Sequence, residues 1–299
     1  MPSKVPEDRT NLQSAAPTWG RRLITALKDL YSKPASAFGT SVFIIFVLLA
    51  LVGPLIAPYG ENQIIATEAR QPPSTSHWFG TDNLGRDIFS RVMLGARDIL
   101  TLSGLGTLLA VILGILFGLV SGYEGGWLDE GIMRFFDSLL ALPALLMALV
   151  LLGILGPSNN SVLIVIVVVY TPIVARVVRS ATLGVKTKAF VEIARLQGES
   201  LTWILTREIL PSVIPALTVE ASLRFSYAIF LIASLGFLGV GVQPPNPNWG
   251  LMVSEARSNV NQTPWAMIFP AAAISIVVIG ANLMADGLKR IFQVQNNIR

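Results

Sequence analysis

Two charged residues inside a long apolar stretch of this 299-residue sequence are the first candidates for chemistry. Glu220 and Arg224 lie four positions apart, so they share one face if the stretch is helical. A carboxylate within a membrane span could bind the ion of a gradient-driven transporter, and a guanidinium could bind the carboxylate of a transported solute. The two side chains could instead neutralise each other as an ion pair between packed helices. The residue types and their spacing leave both interpretations open.

Residues for catalysis or metal binding are scarce. The sequence has no cysteine, which excludes disulfides, thiol catalysis and cysteine-based metal sites. Its one histidine is His77. It contains neither the G-x-S-x-G of a serine hydrolase nor the G-x-x-x-x-G-K-[ST] loop that binds ATP phosphates. We therefore predict no catalytic residue, no metal site and no cofactor bound by this chain. His77, beside Trp78, is expected to form a cap or a hydrogen bond.

The distribution of charge predicts the elements that position these residues. Hydrophobic residues make up 53% of the sequence and charged residues only 13%, against about 25% charged in soluble domains. Asp, Glu, Lys and Arg are absent from residues 34–60, 99–123, 138–175, 225–254 and 258–285. A helix needs about 20 apolar residues to cross the hydrocarbon, and GPSNNS places a turn within the longest run. The pattern predicts an all-α integral membrane protein with six transmembrane helices.

A membrane domain at residues 39–292 is predicted, with a tail at 1–38 before it and a tail at 293–299 after it. The first tail is expected to contain an amphipathic piece at residues 19–31 that lies on membrane lipid. The six spans are predicted at about 40–60, 100–122, 138–155, 161–178, 212–241 and 265–285.

The basic residues predict the orientation. Of the 22 Lys and Arg residues, 16 fall on the side that holds both termini, and basic residues stay on the cytoplasmic side. Both termini and the loop at 179–211 are therefore predicted to be cytoplasmic. The net charge of +4 follows from this topology and requires no nucleic-acid partner. Arg134 and Asp137 are expected at the inner mouth, where a structural network is the favoured interpretation.

The segment FVEIARLQGESLTWILTREILPSVIPAL, residues 190–217, has an amphipathic pattern between apolar runs. It predicts a short helix that stops at Gly198, a second helix capped by Ser200, and an end or change of direction at Pro211. From amphipathicity alone, a helix resting on lipid headgroups is the simplest interpretation. The expected apolar stripe contains Phe190, Ile193, Ala194, Leu201, Ile204 and Leu205.

The spacing in this segment resembles the EAA signature of permeases of ATP-binding cassette (ABC) importers. That signature reads Glu-Ala-Ala, three residues, Gly, nine residues and Ile-x-Leu-Pro, and only Ile193 and Glu208 depart from it here. The resemblance implies a coupling helix whose apolar stripe fills a groove on an ATPase and whose charged residues pair at the rim. The coupling residues would be Glu192, Ala194, Arg195, Gly198, Glu199, Leu210 and Pro211.

Three further stretches resemble the C-type subunit of the dipeptide/oligopeptide/nickel permeases. They are HWFGTDNLGRDIFSRVMLGARDIL (77–100), GYEGGWLDEGIMRFFDSLLALP (122–143) and ASLGFLGVGVQPPNPNWGLMVSEAR (233–257). The residue pattern of the first would by itself predict a separate interfacial helix. Together the four motifs cover the chain from about residue 41 to residue 292.

The resemblance implies a type I ABC importer permease in a bacterial inner membrane. Its expected partners are a homologous second permease, two ABC ATPase subunits that carry ATP and Mg, and an extracytoplasmic solute-binding protein. Peptides would be the commonest cargo, while glutathione, nickel chelates, sugars and opines remain open. A secondary transporter driven by an ion gradient is the alternative, in which only Glu220 could act as the buried acid.

Overall fold

The computed structural model describes residues 27–297, with side chains described as far as residue 291. Most of the predicted tail at 1–38, including residues 19–26 of the predicted amphipathic piece, lies outside the described residues, as do the side chains of the tail at 293–299. The described chain is helical, which confirms the predicted all-α class. Its helices are α1 (Pro34–Ile56), α2 (Ile88–Glu124), α3 (Gly126–Leu140), α4 (Ala144–Leu155), α5 (Asn159–Val185), α6 (Ala189–Leu196), α7 (Leu201–Phe237), α8 (Trp249–Ala256) and α9 (Pro264–Asn297).

Among the described residues, five helices are long and apolar enough to cross a membrane, namely α1, α2, α5, α7 and α9. The α3–α4 pair meets the same criteria only as a unit, bent by 90°. The bend lies at Pro143, the extended residue before α4, because proline lacks the N–H that a continuing helix requires. The 12 residues of α4 extend only about 18 Å. The third predicted span is thus a bent pair of helices.

The direction of α5 shows that the α3–α4 pair returns the chain across the bundle. α2 and α5 pack closely, with Gly106 against Ile166 and Gly122 against Thr182. Residue numbers therefore rise together along both helices, which makes them parallel. Two parallel spans require a crossing between them, and only α3 and α4 are available for it. Glycines at the contact suit this arrangement, because small residues let helix backbones approach each other in a membrane.

Two helices begin well before their predicted spans. α2 begins at Ile88 and runs for 37 residues, so the expected separate interfacial helix is its first part. Periodicity misassigned this part because its charges suggested a water-exposed face, whereas Arg86 and Arg91 are 6% and 2% exposed. Both guanidinium groups reach Glu255 of α8, at 2.7 and 3.8 Å. α7 begins at Leu201, so the fifth span continues from the predicted coupling loop without interruption.

Candidate coupling site and membrane ion pair

The EAA segment forms a compact turn between two helices. α6 ends as predicted at Gly198, which has a φ of +77°, a region that glycine enters without a steric penalty. The amide of Glu199 donates to the carbonyl of Ala194 at 3.2 Å, and that of Gly198 to the carbonyl of Arg195 at 3.1 Å. These two bonds form a Schellman motif. Ser200 caps α7 as predicted, because its side chain accepts a hydrogen bond from the amide of Trp203.

Pro211 does not end α7, which continues through it to Phe237. Residues Ile204–Ile209 form a π-helical turn immediately before Leu210 and Pro211. A wider turn of this kind gives room to the proline ring, which would otherwise clash with the preceding turn. α6 is therefore separated from a 37-residue helix only by a fixed four-residue turn.

The predicted apolar stripe is divided between two surfaces. Ala194, Ile204 and Leu205 are buried in a cluster with residues of α2, α5 and α7, at 3%, 2% and 8% exposure. Val191, which was not predicted, is 1% exposed and is the most buried residue of α6. Apolar residues occur on both sides of α6, so periodicity could not tell which side faces the bundle. The buried side fastens α6 to the membrane helices.

The other members of the stripe lie on the surface and define the exposed apolar face. Ile193 and, outside the predicted stripe, Leu196 are 54% and 82% exposed, on the side of α6 away from Val191 and Ala194. Phe190 and Leu201 are 38% and 40% exposed. Glu192 and Glu199 are exposed beside this face. Ile193, which departs from the EAA pattern, thus enlarges an apolar surface.

Arg195 has a hydrogen-bond partner in this chain, namely Tyr123. Its guanidinium donates to the hydroxyl of Tyr123, with Nη2 at 3.0 Å and Nε at 3.3 Å. Tyr123 belongs to the last turn of α2, so this contact joins α6 to the end of a membrane helix. The sequence expectation for Arg195 was a partner on an ATPase.

Glu220 and Arg224 form the i, i+4 pair on α7. Arg224 Nε lies 2.7 Å from Glu220 Oε1, and the side chains are 14% and 13% exposed. The contact is ionic without hydrogen-bond alignment, since neither atom satisfies the geometry of a hydrogen bond. The guanidinium carbon also lies 4.8 Å from the ring centroid of Tyr227 and 5.7 Å from that of Tyr170. The arrangement compensates the charge of Arg224 on several sides.

Arg134 and Asp137 are not brought into contact. Arg134 binds Glu130, one turn earlier on α3, at 2.8 Å, whereas Asp137 accepts a hydrogen bond from Arg176 of α5. A stronger link between α3 and α5 was missed: Arg179 bonds both oxygens of Asp129, at 2.6 and 2.5 Å. Their 50-residue separation gave no local signal.

A second polar cluster, on the side of the bundle away from α6, was also missed. His77 Nδ1 lies 2.9 Å from Asp87, the residue that caps α2, and Nε2 lies 2.9 Å from Glu68. The ring is 3% exposed and stacks near Tyr59 at 4.8 Å. An imidazole that donates from both nitrogens is protonated. His77 therefore fastens the loop at residues 57–87 to the start of α2, which sharpens the expected hydrogen bond.

The contacts of His77 with Asp87 and Glu68, which hold the loop at 57–87 on α2, are expected to weaken as the pH rises. Burial lowers the pKa of His77, but the hydrogen bonds and negative charges of Asp87 and Glu68 outweigh burial and raise the pKa above 6.5. A raised folded-state pKa gives stability that is present below the unfolded value and lost as pH rises through the folded value. Each pH unit between the two values corresponds to about a tenfold change in loop opening.

Hydrogen exchange at the amides of Gln71 and Thr81, which are bonded within the loop, measures this opening. After correction for intrinsic rates, exchange in the wild type should accelerate as the pH rises above 6.5, the unfolded value. His77→Gln keeps a donor and an acceptor but does not titrate, so its corrected exchange should be flat. Equal pH dependence in both proteins would contradict the assignment.

Two family descriptions match the chain. Residues 114–294 match the binding-protein-dependent transport system inner membrane component. Residues 23–73 match the N-terminal TM domain of oligopeptide transport permease C. The two matches fall on successive parts of the chain, and the first covers more than half of it.

Curated relatives are similar over most of their length. The dipeptide transport system permease protein DppC of Alkalihalophilus pseudofirmus is 38% identical over 287 residues, which cover 96% of this chain and 92% of the relative. The glutathione transport system permease protein GsiD of Escherichia coli O157:H7 is 41% identical over 247 residues, 82% of each chain. The probable D,D-dipeptide transport system permease protein DdpC of Escherichia coli K12 is 35% identical over 270 residues, 90% of each chain.

The fold is also that of a solved importer. The inward-facing MetNI methionine ABC transporter contains a chain that superimposes with a TM-score of 0.55 at 17% identity, covering 68% of this chain and 96% of that chain. The fold, the family matches and the relatives all indicate an ABC importer permease. The chain belongs to the inner membrane components of binding-protein-dependent ABC importers, multi-pass permease proteins that are not themselves enzymes.

Proposed function

We propose that this chain forms half of the translocation pathway of an ATP-driven importer and receives the movement of an ATPase through α6. The observation that carries the proposal is the exposed apolar face, because Ile193 and Leu196 point away from the bundle that buries Val191 and Ala194. A helix that only rested on the membrane would need one apolar side. α6 has two, and the outer one fits a protein groove.

The connection between α6 and α7 suits the transmission of force. The Schellman turn at Gly198 fixes the angle between the helices, and α7 then continues for 37 residues. Movement of α6 would therefore be passed on as rigid-body rocking of membrane helices. Glu192 and Glu199, exposed beside the apolar face, would select the partner by charge at the rim.

The remaining parts of the proposal concern partners and cargo. In this arrangement both termini and α6 are cytoplasmic, and two ABC ATPase subunits carry ATP and Mg. A homologous permease supplies the other half of the pathway, and an extracytoplasmic binding protein delivers the solute. The names of the relatives concern dipeptides and glutathione, which are all peptides. We therefore propose a small peptide as the cargo.

Uptake by the purified complex in proteoliposomes tests this proposal against the ion-driven alternative. Uptake of a radiolabelled dipeptide should require ATP, the ATPase subunits and the binding protein, and should persist when ionophores collapse all ion gradients. Ion-driven uptake by the permease without its ATPases would overturn the proposal. Omission of the binding protein is the matched control, because it leaves the membrane complex unchanged.

A further inference from the structure

The last turn of α2 is bound by two basic residues, Lys186 directly after α5 and Arg195 in α6. Helices end with carbonyl groups that lack partners within the helix. Here Lys186 Nζ donates to the carbonyl of Gly122 at 2.9 Å and lies 3.4 Å from that of Tyr123. Lys186 follows α5 directly, and its positive charge also suits the negative end of the α2 dipole. The end of α2 is thus hydrogen-bonded to the connection between α5 and α6.

Arg195 makes the second connection, from α6 itself. Besides its two hydrogen bonds to the hydroxyl of Tyr123, its guanidinium carbon lies 5.3 Å from the centroid of the same ring. A planar guanidinium can both donate and stack, which an ammonium cannot do equally well. The contact is exposed to solvent, and it adds a directional link between α6 and α2 to the non-directional apolar packing of Val191 and Ala194.

A third set of contacts, centred on Asp129, holds the end of α2 in place relative to α5. Asp129, in the first turn of α3, is bonded by Arg179 of α5 and by the hydroxyl of Ser121 in α2. α2 and α5 are moreover parallel and in close contact from Gly106 to Gly122. A displacement of Tyr123 would consequently move the α2–α5 pair as one body.

We propose that Arg195 and Tyr123 form a strut through which movement of α6 reaches the α2–α5 pair. The inference rests on the proposed function, in which an ATPase moves α6. The covalent route through Gly198 leads to α7, while residues 186–188 and the packing of Val191 and Ala194 already join α6 to α5 and α2. The strut adds a directional contact with the end of α2. Tyr123 and Arg195 are positioning residues in this scheme, since they hold helices relative to each other and touch no solute.

The strut is tested with the complete importer, its binding protein and a labelled dipeptide in proteoliposomes. The quantity measured is the number of solutes taken up per ATP hydrolysed. Tyr123→Phe keeps the ring and removes only the hydroxyl, and Arg195→Ala removes the guanidinium. Each should lower this ratio by about two- to tenfold, the range expected for lost hydrogen bonds. The double variant should be no worse than Arg195→Ala, because both changes break the same contact.

Arg195→Lys retains a donor but loses the planar fork, so it should recover part of the ratio. The amount of assembled complex should be unchanged in all four variants, which separates a strut from a merely structural contact. A wild-type ratio in Tyr123→Phe, or losses that multiply in the double variant, would overturn the proposal. Ile193→Asp distinguishes the two levels of inference. If it abolishes uptake while Tyr123→Phe is silent, only the strut fails; if it leaves uptake intact, the coupling role of α6 fails as well.

Discussion

Replacing Gly198 with valine is expected to abolish ATP-driven uptake while the protein still inserts and assembles. The backbone at Gly198 has a φ of +77°, which a β-branched residue adopts only with strain. Such strain costs about 1–3 kcal/mol, which corresponds to about a 5–150-fold change in an equilibrium between two arrangements. The Schellman turn would open, and α6 would lose its fixed angle to α7. ATP hydrolysis should then continue without transport.

The cause of this loss can be isolated, because no heavy atom lies within 4 Å of a Cβ placed on Gly198. The penalty therefore comes from the backbone conformation and not from a clash. Asparagine tolerates positive φ better than other residues with side chains, so Gly198→Asn should retain most of the uptake and Gly198→Ala an intermediate share. Gly184→Val is the matched control: Gly184 is also exposed and equally free of neighbours, but it lies within α5, where φ is helical.

Uptake and ATP hydrolysis are measured together for these four variants in the reconstituted importer. The order Asn, Ala, Val should follow the conformational penalty, and Gly184→Val should behave as the wild type. If Gly198→Val transports as well as Gly198→Asn, the fixed turn has no part in coupling. Glu192→Lys, which reverses a charge beside the exposed apolar face without altering the turn, should also reduce coupling.

The features that the sequence predicted well are those encoded locally. Gly198 and Ser200 act through their own backbone angles and neighbouring amides, so their roles follow from residue type and position. The number of crossings likewise depends on runs of apolar residues and on one turn, GPSNNS. The bend at Pro143 is also a local effect, but the continuous apolar run around it gave no polar interruption to mark the break.

The features that were missed depend on residues distant in sequence. Apolar side chains on both sides of α6 left its orientation undecided until the bundle was in place, which is why Ala194 was assigned to the same surface as Ile193. Pro211 is accommodated because six residues before it adopt a π turn, a compensation that residue propensities do not indicate. His77 finds Glu68 and Asp87 only after the loop at 57–87 folds over the start of α2.

Glu220 and Arg224 lie within 2.7 Å of each other, and we propose that they act as a compensated structural pair. Removal of one partner leaves a charge without its counter-ion among apolar helices, a change that costs about 3–5 kcal/mol at buried sites. Arg224→Ala and Glu220→Ala should therefore each reduce the amount of assembled complex recovered from membranes. The double variant Glu220→Gln, Arg224→Gln removes both charges and should restore assembly, because no uncompensated charge remains.

Uptake per assembled complex then decides whether Arg224 has a further role with the solute. A guanidinium that bound the solute would favour a dipeptide with a free C-terminal carboxylate over its amide. Loss of both charges would abolish this preference. A pair that only stabilises packing predicts the opposite: the double variant should transport both dipeptides in the wild-type ratio. Full assembly with a selective loss of the free acid would contradict the structural interpretation and place Arg224 in the pathway. We expect the wild-type ratio, since Glu220, Tyr227 and Tyr170 already surround the guanidinium.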